Sequence, residues 1–450
     1  MKSLDAWMLE ILEDARQSDL YFRDFLNARS SACGDVENYH LYMLRKTLRY
    51  AVEHSAFYRE AGISPEAIQT LDDLRNLPFT DPAQLSEKPY KFLCLSQANI
   101  QRIHNFITSG TTGPKKKIFW TTGDLDRIVR FMAAGIGTVA SAGDVVHVWL
   151  PDGMPYSQAD LLSRGVESIG ARPVVVPMDI DSKDYLRLLE AEPCAVIFGF
   201  THCLLRLTRE LQCYYDLKRL GVRMLFLAAE YLPDAARADL QRTWNCETRT
   251  HYGLTEMGLG VAVECSAGGG YHFNEADLLL EIVDPKTGQP VNDDQEGELV
   301  FTTLTREAMP LIRYRTHDIS RWIPMPCACG ATRPGKFAAV KKRVGNIILL
   351  ANGSEIYPSI FDDALMDMRG FVDYQAILSR RGNQEHLRFR VELAETAQDS
   401  IPEIKRRLLT TPVLSENIHL GNMTMPDVEL AAPGSLKNTG RAKKLIYPDI

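Results

Sequence analysis

The chain has 450 residues, of which 45% are apolar and 24% charged, a balance typical of a folded globular protein rather than a disordered one. The formal net charge of −7 excludes the general positive field with which proteins bind nucleic acid. No apolar run approaches the roughly 18 residues needed to cross a bilayer. We therefore expect no nucleic-acid partner and no membrane association, and the length predicts about two to three domains.

Residues 1 to about 100 are predicted to be mainly helical. The same part of the sequence predicts a cytoplasmic protein. Asp5 and Glu10 interrupt the apolar stretch that a signal peptide would need. Apolar residues in the same stretch recur at helical spacing, which predicts an amphipathic first helix. Nine cysteines, scattered from Cys33 to Cys329, fit reduced thiols better than a disulfide framework and also favour the cytoplasm.

Strand-like apolar runs alternate with helical patterns in the middle of the chain, and this alternation predicts a parallel sheet covered by helices. The runs are Val145–Leu150, Pro173–Pro177, Ala195–Phe198 and Met224–Leu227. After about residue 260 the sequence is richer in turns, with Asp284–Gly288 joining one strand to another and Glu296–Glu298 preceding the strand Leu299–Thr303. This pattern predicts an antiparallel or barrel-like subdomain.

The last part of the chain predicts a small α+β domain. Lys341–Asn346 is polar, contains a glycine and is a candidate hinge. Beyond it the patterns run helix Pro358–Met368, strands Tyr374–Leu378 and Leu387–Leu393, helix Pro402–Leu409, and then strand-like sequence to the end. The overall prediction is an α/β fold. A large N-terminal domain, residues 1–344, has helix-covered sheets and a barrel-like subdomain, and a mobile α+β C-terminal domain takes residues 345–450.

The loop Thr108–Lys117 combines hydroxyls, two glycines and three lysines in ten residues. Glycines let backbone N–H groups approach an oxyanion, the hydroxyl groups add donors, and the ammonium groups supply positive charge. It is not a Walker loop, because Gly110 is followed four residues later by Pro114 and Lys115 rather than by Gly-Lys-Ser/Thr. The loop predicts a phosphate cradle, and the alternative is a solvated polar turn between two strands.

Four further segments follow this loop, and each alone is a weak signal. They are Ala228–Tyr231 at the end of an apolar strand, the glycine-rich turn His251–Gly258, the segment Arg313–Asp318, and Pro433–Lys444. In this order and spacing the five segments resemble those of the adenylate-forming superfamily of acyl- and aryl-CoA ligases, with the phenylacetate-CoA ligase-like branch the most similar. The resemblance covers most of the chain from Thr108 to the C-terminus.

The resemblance implies an AMP-forming acid–thiol ligase. Such an enzyme uses ATP to convert a carboxylic acid, here an aryl acid in particular, into an acyl-adenylate and then transfers the acyl group to CoA. Negative charge builds on the phosphoryl oxygens in this reaction, so cationic and N–H stabilisation is the main catalytic need. A carrier-protein thiol or an amine is the alternative acceptor. The implied ligands are ATP, Mg²⁺, CoA and a small-molecule carboxylic acid, and a homodimer is an assembly that the sequence leaves open.

The resemblance also implies roles for single residues. Glu256 would bind Mg²⁺, Thr255 would contact the α-phosphate, and Asp318 would accept hydrogen bonds from the ribose hydroxyls. Tyr252 would stack on or beside the adenine. The residues that would lie along the adenine are Ala228, Ala229 and Glu230. Those that would hold the phosphates or complete the nucleotide site are Thr108, Ser109, Gly110, Thr111, Thr112, Gly113, Lys115 and Arg343. A cap, a turn residue and core packing are the alternatives for Asp318, Glu256 and Tyr252 respectively.

The last motif departs from the family pattern. The family usually has Gly-Lys, with the lysine reaching the reacting carboxylate, whereas here the glycine is followed by Arg441. Arginine keeps the charge but is planar and bulkier, so Lys443 or Lys437 is an alternative catalytic cation. His317 and the pair Gly345–Asn346 also differ from the family pattern. A catalytically impaired nucleotide-binding sensor or scaffold is therefore an alternative function.

A set of cysteines and one histidine predicts a metal site. Cys265 and His272 bracket a glycine-rich turn, and Cys327 and Cys329 lie later in the same turn-rich region. Three thiolates and an imidazole make a closed tetrahedral zinc set, which would be structural because it leaves no position for substrate. Free cysteines and a surface histidine are the alternative. The resemblance to some relatives in the phenylacetate-CoA ligase-like branch favours zinc.

Aromatic residues near the third strand-like run are candidates for the acid pocket. Phe198, Phe200 and His202 would line it, with Tyr156 opposite. An aromatic lining suits a planar aryl acid, and core packing is the alternative for either phenylalanine.

Overall fold

The protein is described by a computed structural model that covers residues 4–28, 34–106, 116–333, 335–366, 368, 370–382, 384–394, 401–436 and 446–448. Within these residues the α-helices, in chain order, are α1 (Leu4–Ser18), α2 (Leu20–Asn27), α3 (Asp35–His54), α4 (Ala56–Glu60), α5 (Pro82–Glu87), α6 (Thr122–Ile136), α7 (Gln158–Ser168), α8 (Ser182–Ala191), α9 (Thr201–Leu211), α10 (Asp234–Trp244), α11 (Pro358–Leu365), α12 (Ile401–Leu408) and α13 (Pro412–His419). None of the described helices is long and apolar enough to span a membrane.

The strands of the described residues are β1 (Arg102–Phe106), β2 (Lys116–Trp120), β3 (Val145–Trp149), β4 (Arg172–Val175), β5 (Val196–Phe200), β6 (Met224–Ala228), β7 (Glu247–Leu254), β8 (Leu259–Glu264), β9 (Gly270–Phe273), β10 (Leu278–Val283), β11 (Gly297–Thr303), β12 (Tyr314–Ser320), β13 (Trp322–Ile323), β14 (Lys336–Ala338), β15 (Lys342–Arg343), β16 (Ile348–Leu349), β17 (Glu355–Ile356), β18 (Phe371–Arg381), β19 (Gln384–Leu393), β20 (Asp427–Ala431) and β21 (Ile446–Pro448).

The chain forms two compact units, each built from separate stretches of sequence. The first unit takes residues 1–143, 152–173 and 251–339, and the second takes residues 144–151, 174–250 and 340–450. The second unit therefore contains both the parallel strands of the middle of the chain and the C-terminal strands. The predicted domain boundary between residues 344 and 345 stays a prediction.

The N-terminal helices pack on the first unit through one apolar stripe. The predicted amphipathic first helix is α1, which buries Leu4, Met8 and Leu12 at helical spacing. Met8 and Leu12 belong to a buried cluster with Phe22 of α2 and Tyr39 of α3. The Tyr39 hydroxyl also donates a hydrogen bond of 2.9 Å to the carbonyl of Ala276, which satisfies the polar end of a buried ring.

Antiparallel strands dominate the rest of the first unit, as the turn-rich sequence predicts. Strand β8 pairs with β9 and with residues 251–254 of β7, and β9 continues through β14 to β13. A separate group pairs β10 with β11 and β11 with β12. These two groups hold the segments His251–Gly258 and Arg313–Asp318 of the sequence motifs.

The second unit begins with parallel strands that helices cover, again as predicted. Strand β5 pairs in parallel with β3 on one side and with β6 on the other. Helix α9 follows β5 directly, and a Cβ at Gly199 would lie 2.9 Å from the end of the Leu204 side chain, so a larger residue there would force that side chain to move. Residues at the ends of β5 and β6 therefore lie next to the start of α9.

The C-terminal part of the second unit is an α+β arrangement. Strands β18 and β19 form a long antiparallel pair, β21 adds in parallel to β18, and β20 adds in parallel to β19. Buried residues of this part, among them Phe361 and Phe389, share one apolar cluster with Ile197, Leu204 and Leu225. The predicted fold class, an α/β protein with helix-covered sheets and a small α+β C-terminal part, is confirmed.

One C-terminal element differs from the sequence expectation. The sequence after Leu409 reads as strand-like, but residues Pro412–His419 form helix α13. Proline is favoured in the first turn of a helix because it lacks only an N–H that has no intrahelical partner there. A helix of eight residues is too short for its periodicity to stand out, and it is stabilised by burial of Leu414 and Asn417.

Arg209 is a buried cation that ties α9 to the C-terminal strands. Its side chain is 2% exposed and donates to the carbonyl of Met366 at 2.6 Å and to that of Phe371 at 3.2 Å. It also forms an ion pair with Asp239. A buried guanidinium is tolerated only when its donors are satisfied in this way.

We expect the substitution Arg209→Met to lower the free energy of unfolding by about 3–5 kcal/mol, because it leaves Asp239 and two carbonyls with fewer partners in a buried setting. Urea denaturation followed by circular dichroism measures the change. The matched control is Arg187→Met on α8, where the arginine side chain is 76% exposed and the expected change is within about 0.5 kcal/mol. Equal effects of the two substitutions would contradict the assignment.

Candidate active site

Glu256 lies in a sharp turn between β7 and β8. A short 3₁₀ turn spans Thr255–Met257, and Gly258 follows with a φ of +102°. That backbone conformation is strained for any residue with a side chain, so the glycine lets the chain reverse immediately after Glu256. The turn places the Glu256 side chain inside the protein, where it is 2% exposed.

Glu256 forms a buried cluster with Lys116 and Tyr314. Lys116 Nζ lies 2.8 Å from Glu256 Oε1, and the Tyr314 hydroxyl donates to the same oxygen at 2.7 Å. Lys116 also donates to the Tyr314 hydroxyl at 2.8 Å, so the three groups close a ring of hydrogen bonds. Burial by itself raises the pKa of Glu256, but Lys116 and Tyr314 outweigh burial and lower that pKa below its usual value. Glu256 is therefore an ionised carboxylate at neutral pH.

Lys116 links this cluster to the predicted phosphate loop. It is the first residue of β2 and directly follows Lys115, and its side chain is buried. The sequence placed Lys116 inside the phosphate loop but gave it no specific role. The predicted loop residues Thr108, Ser109, Gly110, Thr111, Thr112, Gly113 and Lys115 lie outside the described residues, as do Arg441, Lys437 and Lys443.

Tyr252 and Asp318, two of the predicted nucleotide residues, lie together in the same unit. The Tyr252 hydroxyl donates to Asp318 Oδ2 at 2.7 Å, and both side chains are buried. The Tyr252 ring meets the ring of Phe337 edge to face, with centroids 5.4 Å apart. These contacts orient the Asp318 carboxylate.

His317, one of the departures from the family pattern, is explained by a buried carboxylate. The backbone N–H of His317 donates to Glu298 Oε1 at 2.8 Å, and its ring Nδ1 is 3.1 Å from the same oxygen. Arg315 pairs with Glu298 as well. Burial raises the pKa of Glu298, but His317 and Arg315 outweigh it and lower that pKa. His317 therefore stabilises a buried charge on β11.

The predicted adenine residues lie at the end of β6 in the second unit. Strand β6 ends at Ala228, and Ala229 has a φ of +76°, an uncommon conformation for a residue other than glycine. Glu230 follows and accepts a hydrogen bond of 2.9 Å from the backbone N–H of His202. Arg343, also assigned to the nucleotide, is the last residue of β15 and is half-buried.

The predicted acid-pocket residues divide into two kinds. Phe198 is buried and packs edge to face on Phe226, with ring centroids 5.1 Å apart, which is core packing. Phe200 is half-buried, and its ring stacks near that of His202 at 5.8 Å. Tyr156 belongs to the first unit, where the guanidinium of Arg164 lies 4.6 Å from its ring.

The four predicted zinc ligands come together in the first unit. Cys265 follows β8, His272 lies on β9, and Cys327 and Cys329 occupy the turn between β13 and β14. Their ligand atoms all lie within 4.8 Å of one another. The Cys265 and Cys327 sulfurs are 3.7 Å apart, and Cys329 Sγ is 3.5 Å from His272 Nε2. A tetrahedral zinc ion with ordinary bond lengths needs separations of roughly 3.8 Å between two sulfurs and 3.6 Å between sulfur and nitrogen, and these two measured separations match it.

Lys336 contacts two of these sulfurs, and the sequence gave no sign of it. Its buried ammonium group lies 3.4 Å from Cys265 Sγ and 3.3 Å from Cys327 Sγ, and it donates to the carbonyl of Gly268 at 2.7 Å. Lys336 is opposite His272 in the pairing of β14 with β9. Burial raises the pKa of Cys265, but His272 and Lys336 outweigh it and bring that pKa to about 6. The cluster thus favours thiolate at Cys265.

Comparison with known proteins identifies the family of the chain. The sequence profile of the AMP-binding enzyme family matches residues 105–304, and that of the AMP-binding enzyme C-terminal domain matches residues 353–447. The phenylacetate-coenzyme A ligase of Pseudomonas putida is 30% identical over 93% of this chain and 95% of its own length. The phenylacetate-coenzyme A ligase of Escherichia coli (strain K12) is 30% identical over 79% of this chain and 82% of its own.

The crystal structure of 2-hydroxyisobutyryl-CoA ligase in the postadenylation state, in complex with 2-HIB-AMP, has the same fold. The two structures superpose with a TM-score of 0.77 at 22% sequence identity. The match covers 91% of this chain and 89% of the 2-hydroxyisobutyryl-CoA ligase chain. The chain belongs to the AMP-binding, adenylate-forming enzyme family. Within that family it lies in the phenylacetate-CoA ligase-like branch, and the predicted class of AMP-forming acid–thiol ligase is confirmed.

We expect Lys116→Met to destabilise the first unit by about 3–5 kcal/mol at neutral pH, because the substitution leaves the buried Glu256 carboxylate without its cation. The pKa of Glu256 is lowered in the folded protein, so the ion pair stabilises above the ordinary carboxylate pKa, and this stabilisation is lost as the pH falls through the folded pKa. The difference between the two proteins in free energy of unfolding should therefore shrink below about pH 4.

Urea denaturation at several pH values measures this difference. Lys117→Met is the matched control, because Lys117 is the next residue on β2 and its ammonium group contacts the Tyr90 hydroxyl at 3.1 Å near the surface. A pH-independent loss for Lys116→Met would show that the lysine acts through packing alone.

Proposed function

We propose that this chain ligates a carboxylic acid, an aryl acid in particular, to CoA through an acyl-adenylate, with Glu256 at the centre of the adenylation site. The observation that carries the proposal is the buried, ionised Glu256 beside the strand that leaves the predicted phosphate loop. A carboxylate of this kind offers the oxygen ligand that Mg²⁺ prefers. Mg²⁺ bound there supplies positive charge to the polyphosphate of ATP.

The other predicted residues have complementary tasks in this proposal. Thr255, adjacent to Glu256, contacts the α-phosphate that the acid attacks. Asp318, oriented by Tyr252, accepts hydrogen bonds from the ribose hydroxyls. The phosphate loop from Thr108 to Lys117 holds the pyrophosphate that leaves, and Arg441 or a neighbouring lysine supplies charge near the reacting carboxylate.

The acid is proposed to bind beside Phe200 and His202. Phe200 is half-buried and its ring stacks near the imidazole, which forms a flat surface suited to an aromatic ring. Phe198 supports that surface from the core through Phe226. The roles of Tyr156 and Arg343, the boundary between residues 344 and 345, the cytoplasmic location and a homodimer stay predictions.

The substitution Glu256→Gln should lower acid-dependent ATP–pyrophosphate exchange by about 100-fold or more, because an amide keeps the shape but loses the charge that the metal needs. Asp318→Asn should raise the KM for ATP more than it lowers kcat, because the ribose contact is present in both ground and transition states. Glu247→Gln, at a glutamate 69% exposed, is the control and should leave exchange unchanged. Full exchange activity in Glu256→Gln would overturn the proposed role.

The acyl acceptor is tested with ATP, a panel of acids, and either CoA or hydroxylamine. A thioester that forms only with CoA supports the proposed function. A hydroxamate without CoA turnover would show that the acyl-adenylate forms, would contradict CoA as the acceptor, and would leave a carrier-protein thiol or an amine as the alternative. Nucleotide binding without acid-dependent exchange, in both the native chain and Arg441→Lys, would identify a sensor or scaffold.

We further propose that Cys265, His272, Cys327 and Cys329 hold a structural Zn²⁺ and that Lys336 balances its charge. Three thiolates and one neutral imidazole around Zn²⁺ leave one net negative charge. The ammonium group of Lys336 lies within 3.4 Å of two of the sulfurs and offsets that charge. With four protein ligands the metal braces β9 against β14 and takes no part in the reaction.

Elemental analysis of the purified chain should find about one zinc per chain, and Cys329→Ser should lower that content. Lys336→Met should release zinc to a competing chelator about 10-fold faster, because an outer-shell partner is lost. Lys183→Met, at an exposed lysine, is the control and should match the native rate. A chain that is metal-free and stably folded would refute the zinc site.

A further inference from the structure

A thiol, an imidazole and a carboxylate lie in a row at the start of α9. Cys203 Sγ is 3.3 Å from His202 Nε2, and His202 Nδ1 is 3.2 Å from Glu230 Oε1. The imidazole therefore faces the sulfur with one ring nitrogen and the carboxylate with the other. A nucleophile next to an imidazole that a third group orients is the arrangement by which proteins activate a nucleophile. The adenylation site makes no use of Cys203.

Glu230 fixes the imidazole in this row. Its second oxygen accepts the backbone N–H of His202 at 2.9 Å, so the carboxylate is held by the main chain of the same residue whose ring it contacts. Burial by itself lowers the pKa of His202, but Glu230 and Cys203 outweigh burial and raise that pKa to about 10. His202 is therefore an imidazolium at neutral pH, and its positive charge lies against the Cys203 sulfur.

Helix α9 adds partial positive charge near the same sulfur. Cys203 is the third residue of α9, which spans 11 residues from Thr201 to Leu211, and the residue before the helix makes no side-chain capping hydrogen bond. The N-terminal end of a helix carries partial positive charge, and Cys203 lies in the first turn of α9. Cys213 lies two residues beyond the other end of the same helix, where the partial charge is negative, and it is more exposed than Cys203.

We propose that Cys203 is a nucleophilic thiol, activated by His202 and Glu230, and a site of covalent modification by soft carbon electrophiles. With iodoacetamide as the probe, the sulfur attacks the methylene carbon, a carbon–sulfur bond forms and the carbon–iodine bond breaks. Iodide leaves with the bonding electron pair, the proton of the thiol passes to solvent water, and His202 stays an imidazolium throughout.

The test is the labelling rate of each cysteine in the full chain at pH 6.5, measured by mass spectrometry of tryptic peptides. An ordinary thiol is about 1% ionised at this pH, so an exposed cysteine without activation reacts slowly. We expect Cys203 to react about 10-fold or more faster than Cys213, although Cys213 is the more exposed. Cleavage after Arg209 separates the two cysteines, and fragmentation distinguishes Cys203 from the buried Cys194.

Two variants test the activation. His202→Gln should bring the rate at Cys203 down to that at Cys213, and Glu230→Gln should lower it by a smaller factor. Cys194 reports on folding, because it reacts only if the surrounding core opens. Equal rates at Cys203 and Cys213 in the native chain would overturn the proposal. So would an unchanged rate at Cys203 in a folded His202→Gln protein.

Modification would also obstruct the acid, because Cys203 adjoins His202 and lies three residues from Phe200. This consequence rests on the proposed function, whereas the labelling rates require no substrate. Native protein treated with iodoacetamide should lose acid-dependent ATP–pyrophosphate exchange in proportion to the labelling of Cys203. The Cys203→Ser variant should have the same exchange activity with and without iodoacetamide. If fully labelled native protein retains ATP–pyrophosphate exchange, modification of Cys203 does not obstruct the acid. If native protein shows no exchange before treatment, the proposed ligase function is refuted instead.

Discussion

A carboxylate inside a protein must be neutralised by a cation or by strong hydrogen bonds, since the alternative is to take up a proton. Glu256 meets that requirement through Lys116 and Tyr314. The three side chains come from β2, from the turn after β7 and from the start of β12, so one electrostatic requirement holds three distant segments together within the first unit. Lys116, which the sequence analysis places within the predicted phosphate loop, is thereby fixed at the start of β2 beside the carboxylate.

Buried charges support the surrounding backbone in the same way. Arg313 and His317 both have positive φ, which is strained for residues with side chains. Arg313 pairs with Glu281 and donates to the carbonyls of Arg75 and Leu77, while His317 contacts Glu298. These contacts offset the strain on either side of Tyr314. His317, which departs from the family pattern, therefore lies against a buried carboxylate.

Prediction from the sequence succeeded where the evidence was local. Hydrophobic patterns located β3, β6, α11 and α12 to within a few residues, and the order of the motifs identified the enzyme family. The four residues of the proposed zinc site were named from residue type, and the structure brings their ligand atoms within 4.8 Å of one another. Helix α13 was missed because eight residues carry too little periodicity. Lys336 was missed because its link to the cysteines arises only when β14 pairs with β9.

The amino-acid sequence alone determined most element types, the candidate chemistry and the family, because these follow from short-range spacing and residue type. Only the tertiary structure decided which charges neutralise one another. Lys116 and Glu256 are separated by 140 positions, and Tyr314 and Glu256 by 58. The row of Cys203, His202 and Glu230 likewise depends on β5 and β6 lying side by side. The energy of a buried charge is set by the groups that folding brings within a few ångströms of it, and no local pattern encodes that neighbourhood.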